Sequence, residues 1–293
     1  MLASVIIRTY NESKHLGEVL RRLGQQDLDR SEFEVIVVDS GSTDGSREIG
    51  VEAGARLITI DKSDFSFGRS LNRGCSAAKG EYCVFLSGHC LPMQDDWLRK
   101  LVTPLCDGTV TYTYGRQVGN STSKFSECQL FAKQFPETSK IPQEGHFCNN
   151  ANAALPRKLW EEHRFDEDLT GLEDMELAKR FVGSGLQVGY VAEASVLHLH
   201  EEDWPMVRRR YEREAIALQY IMPQIHVGFR DFVRYFASAV LLDVSAAIEQ
   251  RVAMRKLREI VMFRLMQYWG TYQGNHEHRK SSREMKEVYF YPR

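Results

Sequence analysis

An α/β fold with a mostly parallel central sheet flanked by helices, followed by a helical C-terminal extension, is what this sequence predicts. Three features predict it. Residues 4–12 (SVIIRTYNE) and 34–46 (EVIVVDSGSTDGS) are β-branched runs that stop abruptly in polar, turn-forming residues. That pattern belongs to strands buried on both faces. Such runs alternate with helical stretches over the first ninety residues, which gives βαβ units and a parallel sheet. Beyond Trp204 the pattern turns helical and basic.

Taken in order, residues 4–8 form the first strand and 34–39 the second. Turn residues after Asp39 lead to a cap at Thr43 or Asp44 and a helix that stops near Gly54. Residues 56–60 form a short strand. SFGRSLNRGCSAAKGE reads as a loop and then a helix, with Leu71, Cys75 and Ala78 at helical spacing. Residues 81–86 are another buried strand, ending in Ser87-Gly88-His89-Cys90. A helix follows over 95–105 and a β-rich alternation over 110–118. Residues 119–147, with Pro136 and Pro142, read as an irregular excursion. Residues 173–183 are helical, with Met175, Ala178 and Phe181/Val182 on one face. Strands are expected over 187–192 and 195–200. A helical pattern then runs to about Tyr272, and the last twenty residues look loosely held. The expected organisation is a domain over 1–204 and a helical, basic region over 205–293 for membrane, acceptor or oligomer contacts.

A length of 293 residues allows a substantial core in one large or two modest domains. No basic, apolar leader opens the chain. The most apolar late stretch, 236–248, is shorter than the ~20 residues that span a bilayer and contains Asp243. The expected location is cytoplasmic, including the inner face of the cell membrane. Charge is uneven: 22 basic and 31 acidic residues over 1–204, but 16 and 9 over 205–293. The basic region is either a solvated Arg-rich surface or one that meets anionic lipid or an anionic acceptor. Nucleic acid is not expected, because base-stacking aromatics are not interleaved with the basic residues. Six cysteines without CxxC pairing are expected as reduced, mostly core residues.

Open α/β sheets bind ligands at the carboxyl ends of their strands. Asp39 ends the second strand, where a carboxylate accepts a uracil imide N–H or binds a ribose or another base's amino group. Four constellations fall at such ends: residues 9–12, 39–44, 87–90, and His198/His200. The two histidines lie two apart, so in a strand both face one side. His276 and His278 repeat that spacing in a polar tail with no supporting pattern.

In order and spacing these segments resemble the family 2 glycosyltransferases of the GT-A fold, over about residues 3–204. IIRTYNE and VVDSGSTDGS carry the resemblance, supported by LNRG…AKGEYCVFL and EDMELAKRFVGSG. It implies that Thr9, Asn11, Glu12 and Asp39 hold base and ribose, with Ser40 and Ser42 nearby. Asp44 reads as a turn and cap residue. Arg69, Asn72 and Gly74 resemble the segment under the donor sugar and pyrophosphate. The resemblance departs at Ser87-Gly88-His89, where the family carries Asp-x-Asp for a divalent cation. Ser87 offers no anionic oxygen to Mg²⁺ or Mn²⁺. Either His89 holds the metal together with another histidine, by resemblance His198, or no metal is essential. Glu173-Asp174 resembles the family's acidic pair, whose aspartate is the general base. At a helix N-terminus Asp174 is expected to be ionised at neutral pH. Asn152, Glu173 and Trp204 fall on the acceptor side.

The expected function is inverting transfer of a sugar from a nucleotide donor to a hydroxyl of a glycan or lipid-linked glycan, in bacterial surface polysaccharide synthesis. A UDP-sugar is the first choice of donor, with CMP- and GDP-sugars open. The alternative is a catalytically silent nucleotide- or glycan-binding scaffold of the same fold, which would have no need of a base at Asp174.

Overall fold

The structure is a computed structural model that describes residues 1–276. His278 and all but the first three of the last twenty residues lie outside the described part. In chain order the elements are β1 (Ala3–Thr9), α1 (Ser13–Leu23), β2 (Phe33–Asp39), α2 (Ser46–Glu52), β3 (Arg56–Thr59), α3 (Phe67–Ala77), β4 (Tyr82–Ser87) and β5 (Cys90–Pro92). They continue with α4 (Trp97–Cys106), β6 (Tyr112–Val118), α5 (Phe125–Gln134), β7 (Asn152–Pro156), α6 (Arg157–Glu162), α7 (Glu173–Gly183) and β8 (Val188–His198). Three helices follow: α8 (Trp204–Ile221), α9 (Phe229–Glu249) and α10 (Ala253–Asn275).

The chain divides into two compact units. The first holds residues 1–118, 135–168 and 173–199; the second holds 119–134, 169–172 and the chain from residue 200. The first unit is built on one eight-stranded sheet in the order β3-β2-β1-β4-β7-β6-β8-β5. β3, β2, β1 and β4 run parallel, as their β-branched runs predict. β7 is antiparallel to both β4 and β6, and β5 to β8, while β6 and β8 are parallel. The sheet is therefore mixed α/β in the expected way, with two reversed strands. Register decides where chemistry can collect: Thr9 pairs with Asp39, and Arg8 with Ser87. Those residues share one edge of the sheet.

Helix α1 buries Leu16, Val19, Leu20 and Leu23, the i, i+3, i+4, i+7 stripe of a helix laid on a sheet. Helix α3 starts on Ser66, whose Oγ accepts the Arg69 N–H. It approaches the sheet at Gly74, where a Cβ would stand 2.4 Å from Ile6 Cγ2 and 3.1 Å from Val38 Cγ2.

Three sequence expectations are corrected. Residues 119–147 are not irregular throughout, because Phe125–Gln134 is helical and buries Phe125 and Phe131. Residues 187–192 and 195–200 are one strand that stays paired to β6 across a register shift and ends at His198. His200 is therefore outside the strand, and strand alternation does not place it beside His198. Residues 152–156, with little β-branched character, form a strand because β4 and β6 pair with them on either side. All six cysteines are free, four of them buried.

In the second unit, α10 crosses α8 at Gly270 and Gly274, where a Cβ would stand 2.3 Å from Arg208 O and 2.1 Å from Glu212 O. Asp243 of α9 and Arg264 of α10 form a buried two-toothed pair at 2.7 and 2.8 Å. No helix among the described residues is long and apolar enough to cross a membrane.

The Gly74 contact yields a test. Gly74→Ala is expected to cost about 1–3 kcal/mol of stability, because the methyl meets two packed core side chains. Gly183→Ala adds a methyl that meets nothing within 4 Å and is expected to be neutral or mildly stabilising. Urea unfolding of the two variants compares them; equal effects would contradict the packing.

Candidate active site

The first group of residues sits where β1 and β2 end. Asp39 is fully buried. Gly41 follows at φ +92°, a conformation open to glycine, and the turn aims the Gly41 and Ser42 N–H groups at Asp39 Oδ1, both at 3.0 Å. Arg47 Nε stands 3.9 Å from the same oxygen. Asp39 Oδ2 and the neighbouring Thr9 Oγ1 are buried and have no hydrogen-bond partner among the described residues. Buried polar atoms left unpaired cost about 1–3 kcal/mol each, so both atoms call for a partner beyond the described residues.

The surrounding loops are tied together. Asn11, at φ +56°, donates its N–H to Ser42 Oγ (2.9 Å) and accepts the Thr43 N–H at Oδ1 (2.9 Å). The Glu12 N–H bonds Ser46 Oγ at 2.8 Å, and Ser40 N–H bonds Thr9 O at 3.1 Å. Asp44 is the cap-like residue expected. Burial opposes its charge, but bonds from Ser46 and Ser13 prevail and hold its pKa at about 2.

The second group is built around Ser87-Gly88-His89 at the end of β4. His89 Nδ1 lies 2.7 Å from Glu12 Oε1, and His89 Nε2 lies 3.1 Å from His198 Nε2 and 3.2 Å from Ser87 Oγ. His198 Nδ1 meets Gln117 Oε1 at 2.7 Å. The tautomers follow from the chain of donors. The Ala151 N–H fixes Asn149 Oδ1, which accepts from Gln117 Nε2, so Gln117 turns its carbonyl oxygen to His198. His198 therefore carries its proton on Nδ1, as does His89 facing a carboxylate. The two Nε2 atoms then present lone pairs to each other at 3.1 Å, an arrangement that a shared proton or a cation would stabilise. Imidazoles whose Nδ1–H groups are held by a carboxylate and an amide are oriented in the manner of metal ligands. The nitrogen donors fit Mn²⁺ better than Mg²⁺. His200, in the second unit, bonds Glu127 Oε1 at 2.7 Å.

The third group is Glu173-Asp174 at the start of α7. Arg8, one residue before Thr9 on β1, donates Nη1 to Glu173 Oε1 at 2.9 Å and lies over the Phe67 ring. Asp174 Oδ2 accepts the Asn150 N–H and Oδ1 the Met175 N–H, both at 2.7 Å. Its pKa lies above the low value that a helix N-terminus alone would give. Burial first, and the charge of Glu173 second, push its pKa up to about 7 against those two bonds and Arg8. Asn150 is buried beside it, with Oδ1 bonded to the Tyr112 hydroxyl and Nδ2 unpaired among the described residues.

Other expected residues are occupied elsewhere. Arg69 binds Glu167 (2.7 Å) and the Asp64 carbonyl (2.7 Å). Asn72 uses both amide hydrogens on Phe165 O and Glu167, and its oxygen accepts from Trp160 Nε1 and Phe165 N. Gly74 packs on β1. Asn152 is fully buried, donating to Ala194 O and Arg116 O and accepting from Trp97 Nε1. Trp204 opens α8 in the second unit, with Lys124 Nζ 5.4 Å from its ring centroid. Arg8 and Gln117 were not singled out from sequence. Arg8 carried a usable signal, since a charge inside an apolar strand run needs a partner.

The profile described as Glycosyl transferase family 2 matches residues 4–164. The O-antigen chain rhamnosyltransferase WbaN of Salmonella anatum is 26% identical over 211 residues, 67% of this chain and 66% of that protein. The chain thus matches just under two thirds of that relative's length. The mannosyltransferase PcManGT from Pyrobaculum calidifontis, in complex with GDP-Man and Mn²⁺, superposes with a TM-score of 0.66 at 19% identity, over 94% of this chain and 88% of that one. TarS 1–349 of S. aureus in complex with UDP-GlcNAc gives 0.57 at 16% identity, over 95% and 93%. These likenesses show the fold, which is the GT-A architecture expected. Matched from β1 through α6, over more than half of its residues, the chain belongs to glycosyl transferase family 2.

Proposed function

We propose that this chain transfers a sugar from a nucleotide-sugar donor to a hydroxyl of a glycan or lipid-linked glycan, inverting the anomeric carbon, in bacterial surface polysaccharide synthesis. The observation that carries this is the unpaired Asp39 Oδ2 beside the unpaired Thr9 Oγ1. A carboxylate oxygen accepts an imide-type N–H, which uracil, thymine and guanine present and cytosine lacks. Cytosine offers its amino N–H to the same oxygen, so the pair accommodates UDP-, dTDP-, GDP- and CMP-sugars, with a UDP-sugar the first choice. WbaN, a rhamnosyltransferase of O-antigen chains, supports a polysaccharide acceptor.

Asp174 acts as the general base. As the acceptor oxygen attacks the anomeric carbon, its proton passes to Asp174. The bond from that carbon to the phosphate oxygen breaks on the opposite face, and the nucleotide keeps the electron pair. A base near pH 7 is well matched to that transfer. Arg8 and Glu173 position it, and the Asn150 and Met175 N–H groups leave each Asp174 oxygen one further lone pair. His89 and His198 would hold a divalent cation, which when bound offsets the donor's diphosphate charge.

Two expectations follow. Sugar transfer is expected to rise with pH through about 7 as Asp174 loses its proton, and Asp174→Asn to lower kcat by ~10²–10⁴ while nucleotide affinity stays within a few fold. A pH profile and a calorimetric titration read both, and near-full activity in the variant would remove Asp174 as the base. Mn²⁺ binding, followed by electron paramagnetic resonance without donor, is expected to weaken at least about tenfold in His89→Ala and in His198→Ala, as loss of one ligand implies. Unchanged Mn²⁺ affinity in both variants would leave the imidazole pair to a proton.

A further inference from the structure

Helix α9 buries one side and exposes large apolar side chains among arginines and serines on the other. Its inner side buries Phe232, Ala239, Asp243 and Ala247. On the outer side Leu241 and Leu242 are each 70% exposed and Ile248 62%, and Met254 at the start of α10 is 95% exposed. Arg234, Leu241, Ser245 and Ile248 recur at helical spacing, so they form one stripe along the helix. A helix in water gains nothing from such a stripe, and the buried Asp243–Arg264 pair fixes α9 so that it cannot turn the stripe inward.

Charge around the stripe selects its occupant. Between Phe229 and Arg258 the exposed charged residues are Arg230, Arg234, Arg251, Arg255 and Arg258 against a single acid, Glu249. A second copy of the chain would lay arginines against arginines with almost no acid to meet them. An anionic bilayer surface satisfies both features: leucine and methionine side chains enter the acyl boundary while the arginines stay at the headgroups. We propose that the outer face of α9 and the first turns of α10 dock on anionic lipid. This inference stands apart from the reading of the active site.

Sedimentation with vesicles tests it on the full chain. Binding is expected to phosphatidylcholine vesicles carrying about one third phosphatidylglycerol, and not to phosphatidylcholine alone; it is expected to weaken at about 0.5 M salt. Leu241→Glu combined with Leu242→Glu is expected to reduce partitioning at least about tenfold, as is Arg255→Glu combined with Arg258→Glu. All four positions are exposed, and thermal unfolding checks that each variant keeps its fold. The proposal is overturned if the wild type ignores anionic vesicles, binds neutral ones equally, or is matched by both variants. A dimer on gel filtration that the leucine variant dissociates would assign the face to a second copy and overturn it too.

Discussion

A carboxylate buried at the end of an interior strand must be answered by donors, and in this protein Asp39 is only half answered. One oxygen takes two backbone N–H groups from its own turn; the other, like the hydroxyl of Thr9 in register on the next strand, has no partner among the described residues. The turn at Gly41, the Asn11 clasp and the Ser46 bond to Glu12 all hold that half-satisfied pair in place. Glu12 then passes the order on, because its carboxylate orients His89 toward His198. The Asp39 turn and the His89–His198 pair are thus linked through the hydrogen bonds of Asn11 and Glu12.

The Glu173-Asp174 pair is built differently. Asp174 is not exposed for reaction by a loop but held on two backbone N–H groups, next to a second acid whose charge Arg8 partly neutralises. Burial outweighs those bonds and raises its pKa to about 7. Arg8 and Thr9 are neighbours on β1, pointing to opposite faces. One strand thereby offers Arg8 to Glu173 and sets Thr9 beside the end of β2.

Much of this was legible in the sequence. β1, β2 and β4 announce themselves because a strand buried on both faces must be apolar throughout, and Asp39 stands out where such a run ends. The histidine pairing across Ser87-Gly88-His89 was open to inference, since a site deprived of carboxylates needs other donors. Asn72 and Asn152 were harder: a buried amide that holds two backbones together has the same letter as one that holds a ligand. Their saturated hydrogen bonds become visible only in three dimensions. Helix α5 hid among prolines and polar residues because its stability comes from packing in the second unit, not from its own periodicity. The raised pKa of Asp174 was hidden for a related reason. Helix position can be read from sequence, but depth of burial cannot.

The central claim is that Asp39 Oδ2 and Thr9 Oγ1 await a nucleobase. Crystals of the protein grown with UDP or dTDP test it most directly. The base is expected with its imide N–H on Asp39 Oδ2 and a carbonyl oxygen accepting from Thr9 Oγ1. Nucleotide density elsewhere, with both atoms still unpaired, would contradict it.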